Sequence, residues 1–381
     1  MNASLTPDLW EGRRVLVTGH TGFKGAWLCL MLHRLGAEVI GASLAPEDGP
    51  TAYQALALPA LLAGDEQLDI RNAERLCAFV RATQPDVVLH LAAQAFVGRG
   101  YRDPASTFAT NVGGTINLMQ ALRGMTGVQA LLVATSDKVY RNDGAGRPFT
   151  EEAALGGADP YSASKAACEI AVASWRASFP GELPPLATAR AGNVIGGGDF
   201  GEERLIPDLV RAIRSRATLS LRQPEATRPF QHVLDVLRGY LLLTERLMTT
   251  PEAAPAALNF GPADGEISVR RLLDLWGAAT GHAVDWRLAP EPTMPEAGRL
   301  ALDSLEAVRI LGWRPRLDTP AAVEATATWY ADWLEGRDMV APSTAAVDAA
   351  LVSHATGRTA SSPRLAGIEA HALGAASGWV R

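Results

Sequence analysis

Cysteine is scarce in this chain, with three in 381 residues, Cys29, Cys77 and Cys168. All three fall in apolar stretches, without CxxC spacing or a nearby histidine, so neither a zinc site nor a disulfide framework is implied, and a reducing compartment is expected. Positive charge is also in deficit: the net charge of -6 leaves no basic footprint for nucleic acid, although local arginine clusters can still hold phosphates. No apolar run approaches the roughly 20 residues of a membrane span. The N-terminus, MNASLTPDLWEGRRV, lacks the charged-then-apolar profile of a secretory signal. The expectation is a cytoplasmic protein with neither a membrane nor a nucleic-acid partner and no metal. What is present, 48% hydrophobic and 20% charged residues, is globular, and the length suits a nucleotide-binding domain plus a smaller lobe.

The first element with chemical content is a buried strand, RVLVT, followed at once by Gly19-His20-Thr21-Gly22-Phe23-Lys24-Gly25 and an apolar helix. A glycine-spaced turn between strand and helix lets the backbone approach a pyrophosphate, which the unpaired N–H groups of the helix N-terminus attract. A dinucleotide is therefore expected on Gly19, Thr21, Gly22, Phe23, Lys24 and Gly25. The second strand, residues 38–42, is not followed by the Asp or Glu that usually takes the adenosine ribose hydroxyls, and Ser43 stands in that place. NAD is favoured over NADP. Leu68-Asp69-Ile70 ends a third strand, with Asp69 either at the adenine edge or capping a helix that starts near Asn72. A fourth strand, residues 86–92, ends in Leu91, Ala92, Ala93 and Gln94. Its alanines either face a flat cofactor or simply pack. Residues 103–123 read as one long helix whose apolar stripe Asn111 interrupts, either to hold backbone near the site or to satisfy a local hydrogen bond.

The chain's centre is residues 130–140, ALLVATSDKVY, an apolar strand that ends in Thr135, Ser136, Asp137 and Lys138. Ligands of open α/β sheets sit at the carboxyl ends of strands, so a hydroxyl, a carboxylate and an ammonium delivered there suggest chemistry. After a Gly-rich connection, residues 141–158, Asp159-Pro160 starts a helix with Asp as N-cap and Pro in the first turn. Tyr161 and Lys165 follow one turn apart and share a helix face. A phenol with a reference pKa of about 10 becomes a usable base when an ammonium and a cationic nicotinamide favour its phenolate.

Strand and helix alternate up to about residue 193, which calls for a Rossmann-type, doubly wound parallel sheet of α/β class with a smaller mixed α/β lobe. The expected division is an NAD-binding domain over 1–192, with a segment returning near 232–265. A substrate lobe follows over 193–231 and 266–338, and residues 339–381 form a tail that is either flexible or partner-binding.

Together, GHTGFKG, TSDKVY, DPYSASK and ARAGNVIGGGDF resemble the extended short-chain dehydrogenase/reductase superfamily in its nucleotide-sugar branch. So do RLIPD, ATRPFQHVLD, NFGP and EAGRLALDSLEAVRILGWRP. The resemblance runs from about residue 13 to about 333 and points to the 4,6-dehydratases of that branch. It implies that Ser136 hydrogen-bonds the sugar hydroxyl being oxidised while Tyr161, activated by Lys165, removes its proton. Asp137 becomes the acid for the departing C6 hydroxyl. Lys138 stands where related dTDP-glucose dehydratases carry a glutamate base, either as the C5 base or as an ion-pair partner of Asp137. NAD accepts hydrogen from C4 and returns it to C6, so the substrate is a nucleotide-diphosphate hexose, CDP-glucose or a close relative. Asn193, Arg222 and Arg228 either face the substrate's diphosphate or serve as surface ion-pair partners, and Gln94 and Arg204 are further substrate-binding candidates.

Two segments depart from the pattern: Gly98-Arg99-Gly100, where an Arg-x-Ser is expected, and residues 144–158, with Phe149 as the only aromatic. An epimerase or ketoreductase of the same fold, and a non-catalytic cofactor-binding regulator, are the rival readings. A homodimer through helices 103–123 and 160–177 is implied by the same resemblance.

Overall fold

The computed structural model describes residues 2–289 and 298–352. Seven parallel strands form the central sheet: β1 (Arg14–Thr18), β2 (Glu38–Ser43), β3 (Gly64–Gln67), β4 (Val87–His90), β5 (Ala130–Ala134), β6 (Leu186–Ala191) and β7 (Ala257–Phe260). Their spatial order is β7-β6-β5-β4-β1-β2-β3. β1, β4 and β5 are apolar runs buried along nearly all their length, as strands covered on both faces by crossover helices must be. This is the Rossmann-type doubly wound sheet of the sequence reading, with the order reversing between β1 and β4.

That reversal opens a crevice at the carboxyl edge. Gly19, just beyond β1, has φ +78°, and a Cβ there would stand 2.6 Å from the Ala92 nitrogen beyond β4. Glycine is required on both counts. The following helix, Phe23–Arg34, has Gly22 as its N-cap, no capping side chain and no acidic residue in its first turn. Its free N–H groups at the crevice fit a dinucleotide diphosphate.

Several expectations shift in detail. The third strand stops at Gln67, and Asn72, not Asp69, caps the next helix by accepting from the Arg75 N–H. The long helix over 103–123 is two helices, Pro104–Phe108 and Gly114–Leu122, joined by a wider π-type turn, Ala109–Gly113, which contains Asn111. Such a turn inside a helix commonly marks a functional position. The start of the expected tail is ordered: Val340–Leu351 is a helix, with Val347 buried and Ser343 accepting from Trp329 Nε1 at 2.9 Å. It also pairs Asp348 with Arg34 of the first long helix at 2.7 Å. The rest of the tail, residues 353–381, and Glu296 in the substrate-lobe string lie outside the described residues.

Candidate active site

The turn after β5 carries the side chains expected to be reactive. Ser136 ends the extended backbone and caps a short 3-10 turn, Asp137–Val139, by accepting the Lys138 N–H at 3.2 Å. Its hydroxyl donates to Asp137 Oδ1 at 3.1 Å. Departure from strand geometry here lets consecutive side chains face one place, which a regular strand forbids. Asp137 is 3% exposed, and its Oδ2 has no hydrogen-bond partner in the fold. Burial pushes its carboxyl up to about 6, against the pull of Lys138, Ser136, Arg228 and Lys24.

Opposite lies the helix Pro160–Ser178, capped by Asp159 through the Ser162 N–H as its sequence signals. Tyr161 and Lys165 are both buried there. Lys165 donates from Nζ to the Ala134 carbonyl at 3.2 Å, directly before the reactive turn. Tyr161 is raised above the usual phenol value by burial, against which the Ser136 hydroxyl and then the Arg204 charge pull it down. The Arg204 guanidinium, 3.0 Å from Asp199, favours the phenolate, while the Asp137 and Asp159 charges oppose it.

Among the other expected contacts, the Arg228 charge acts on Asp137, and its guanidinium donates to the Thr227 carbonyl at 2.8 Å. The Arg222 charge acts on Asp208. The Asn193 carbonyl accepts from the Gln231 N–H at 3.0 Å. Gln94 spends its amide within the protein, donating to Thr107 at 2.9 Å and accepting from the Phe96 N–H at 2.6 Å. Thr21 and Ser43 join hydroxyls at 2.8 Å beneath the glycine-rich turn. Asp69 grips Arg71, Ile70 is buried beside Gly114, and Phe23 packs on the core. Leu91, Ala92 and Ala93 are half-buried along the crevice. Lys24 turns its ammonium toward Tyr240 Oη, 3.3 Å away, and burial followed by the Lys165 and Arg204 charges pushes it down to about 7.

Gly98, in the departing segment, has a structural reason: a Cβ there would fall 1.6 Å from the Glu203 carboxylate. Its neighbour Arg99 bonds Glu202 at 2.5 Å and Glu47 at 2.6 Å, tying the segment to both sides of the crevice.

Two networks frame the site, and the sequence reading foresaw only one member of either. Asn111 accepts the Gln94 N–H at 2.8 Å and donates to the Gln94 carbonyl at 3.0 Å, the backbone-holding alternative for that residue. Behind it runs a one-way chain: Thr115 donates to the Asn111 carbonyl at 2.7 Å and contacts His90 Nε2 at 3.0 Å. His90 Nδ1 meets Thr18 Oγ1 at 2.6 Å, and that oxygen accepts the Ala92 N–H at 3.3 Å. With the Thr115 proton committed to Asn111, His90 donates from Nε2, and in its neutral form accepts the Thr18 hydroxyl at Nδ1. Burial, then the Lys165 charge, pushes it down to about 3.

The second network is charged. Arg190 on β6 binds Glu169 bidentately, at 2.9 and 2.8 Å. Glu169 also accepts from Thr135 at 2.5 Å and Thr188 at 2.7 Å. Arg190 donates to Tyr140 Oη at 2.9 Å, which donates to Asn259 at 2.6 Å. Thr135 and Tyr140 bracket the reactive turn, so one buried ion pair holds both its ends. A Glu one turn beyond Lys165 on the same helix face was the available signal.

A family model described as the NAD dependent epimerase/dehydratase family matches residues 15–257. The chain belongs to that family, and its cofactor is NAD. The chain is 37% identical over 344 residues to the CDP-glucose 4,6-dehydratase of Salmonella typhimurium, covering 87% of this chain and 94% of that protein. It is 26% identical to the dTDP-glucose 4,6-dehydratase of Shigella flexneri, over 84% and 94% of the two chains. Among solved structures it resembles UDP-glucose-4-epimerase from Stenotrophomonas maltophila with bound NAD and formylated UDP-arabinopyranose. The TM-score is 0.75 at 26% identity, covering 85% of this chain and 99% of that one. Among the described residues no helix is long and apolar enough to cross a membrane, and no cluster of His, Cys, Asp and Glu could hold a metal.

Proposed function

We propose that the protein is a nucleotide-sugar 4,6-dehydratase that acts on CDP-glucose or a close relative. The observation that carries this reading is Asp137, a buried carboxyl with one unpartnered oxygen, held near neutral pKa beside Ser136. Oxidation alone needs only a hydroxyl positioner and a base. An acid with a free oxygen serves the departure of a hydroxyl group.

Bound NAD supplies reversible two-electron acceptance, taking hydrogen from sugar C4 and giving it back at C6. Ser136 holds the C4 hydroxyl, and Tyr161 takes its proton as the phenolate. The resulting ketone acidifies C5, and Asp137 protonates the C6 hydroxyl so that it leaves as water. Lys138, on the same turn, either takes the C5 proton or pins the Asp137 carboxyl. Lys165, anchored on the Ala134 carbonyl, sets the charge at the cofactor end. Arg204, Arg222 and Arg228, with Asn193, hold the substrate diphosphate by charge-assisted bonds.

Incubation of the NAD-loaded enzyme with a panel of nucleotide-glucose and nucleotide-mannose donors tests this, with products weighed for loss of water. Deuterium at C4 of the accepted donor should appear at C6 of the product. A product of unchanged mass makes the protein an epimerase, and stoichiometric NADH release makes it a ketoreductase. The dimer belongs to the same reading: Phe108 and Ile170 stand 39% and 59% exposed on the two helices expected to meet a second copy. Light scattering should give twice the chain mass.

A further inference from the structure

Three connections that leave the carboxyl edge of the sheet meet in one place. Residues 44–52 follow β2, the helix Val97–Arg102 follows β4, and residues 196–204 follow β6. β2 and β4 flank β1 in the sheet, so a bond between their connections passes over the carboxyl end of β1 and its glycine-rich turn. Arg99 makes that bond: its Nη1 stands 2.6 Å from Glu47, after β2, and its Nε donates to Glu202, after β6, at 2.5 Å. One guanidinium thus ties all three connections.

The rest of the seam is packed to fit. Gly198, at φ +84°, sets its backbone where a Cβ would stand 3.0 Å from the Ala52 Cβ. A Cβ at Gly201 would stand 2.7 Å from the Phe96 ring, whose centroid lies 4.5 Å from the Arg99 guanidinium carbon and 4.8 Å from that of Arg204. Glu203 holds φ +56°, a left-handed backbone unfavourable to a residue with a Cβ. It is kept there by Arg102, 2.7 Å from its carboxylate, and by the space that Gly98 leaves. The bonds of Arg99 are nevertheless of a kind that parts easily. Arg99, Glu47 and Glu202 are 39%, 55% and 42% exposed, and ion pairs so placed are weak and screened by salt.

We propose that Arg99 is the clasp of a cover over the NAD site: with Glu47 and Glu202 it closes the three connections over the cofactor and slows its release, and the cover opens when the clasp parts. The inference goes beyond the dehydratase reading, because it needs only NAD and serves epimerisation equally. In either reaction the cofactor is reduced and reoxidised on one sugar, so it must not leave in its reduced form, and a closed cover secures that.

Cofactor release tests this without any turnover. Protein loaded with NADH is mixed with excess NAD, and the loss of bound-NADH fluorescence is followed at about 0.05 M and about 0.5 M salt. At the lower salt Arg99→Gln should release NADH about tenfold faster than the wild type, and at the higher salt the two should release it at about the same rate. Glu47→Gln, which cuts only the bond across β1, should behave like Arg99→Gln and stands in for it should that variant not fold. Arg34→Gln removes a comparably exposed pair, with Asp348, at the other end of the helix Phe23–Arg34, and should release NADH at the wild-type rate. A wild-type release rate and salt response in either clasp variant, or equal acceleration by Arg34→Gln, overturns the proposal. No sugar enters the assay, so its result stands apart from the success or failure of the dehydratase reading.

Discussion

The two sides of the crevice are held by networks of opposite electrical character. On the β1–β4 side, which carries the glycine-rich turn, the chain Thr18, His90, Thr115 and Asn111 is neutral and has a single direction of donation. On the β5–β6 side, where the reactive turn begins, Glu169 and Arg190 are a fully bonded buried ion pair. A neutral chain places backbone without adding a field to a region that must accept a charged cofactor. The ion pair gives strong directional bonds to both ends of the turn, and its two charges cancel within one contact. Buried ion pairs are weak devices for stability but can specify one geometry.

The comparison can be broken from either side. The largest effect is expected for Arg190→Met, which leaves Glu169 buried without its partner. About 3–5 kcal/mol should be lost in denaturant unfolding, as for other broken buried pairs. Next comes Asp137→Asn, which keeps the shape but not the acid. Loss of water should fall about 100-fold or more, while NADH formed by C4 oxidation accumulates on the enzyme at 340 nm. In the wild type the elimination rate should decline as pH rises through about 6, where Asp137 loses its proton.

On the neutral side, His90 has a folded pKa near 3 against an unfolded value of 6.5. The unfolded chain therefore binds the proton first, and stability falls as pH drops below 6.5. The loss should be about 2 kcal/mol between pH 7 and pH 5, read from urea midpoints. His232, pushed down to about 4 by burial, adds to the slope, so His90→Asn should flatten it only in part. The smallest stability change is expected for Tyr140→Phe, about 1–2 kcal/mol for the two hydrogen bonds of its hydroxyl. It loosens the far end of the reactive turn, so turnover should fall more than stability while NAD affinity stays unchanged. Equal losses in turnover and NAD affinity would show that the ion pair does not act on the reactive turn alone.

Elements set by neighbouring residues were the most legible in the sequence. The strand, glycine turn and helix around Gly19, the Asp159 cap and the one-turn spacing of Tyr161 and Lys165 need only local geometry. The π-type turn at Asn111 was hidden because its side chains keep an apolar helical stripe. Glu169 and Arg190 were hidden because each is unremarkable in its own element and they meet only when the helix Pro160–Ser178 packs against β6. The helix Val340–Leu351 was missed because an Ala- and Ser-rich segment shows little amphipathic signal until Val347 and Ser343 find the core.

The order of strands and helices and the glycine turn that follows β1 follow from the amino-acid sequence, because periodicity, glycine and capping act over a few residues. Which cation bears on Tyr161, how acidic Asp137 is and where the Lys24 ammonium points were decided by the tertiary structure. Those properties depend on burial and on charges brought together from distant segments, and desolvation has no counterpart along an extended chain.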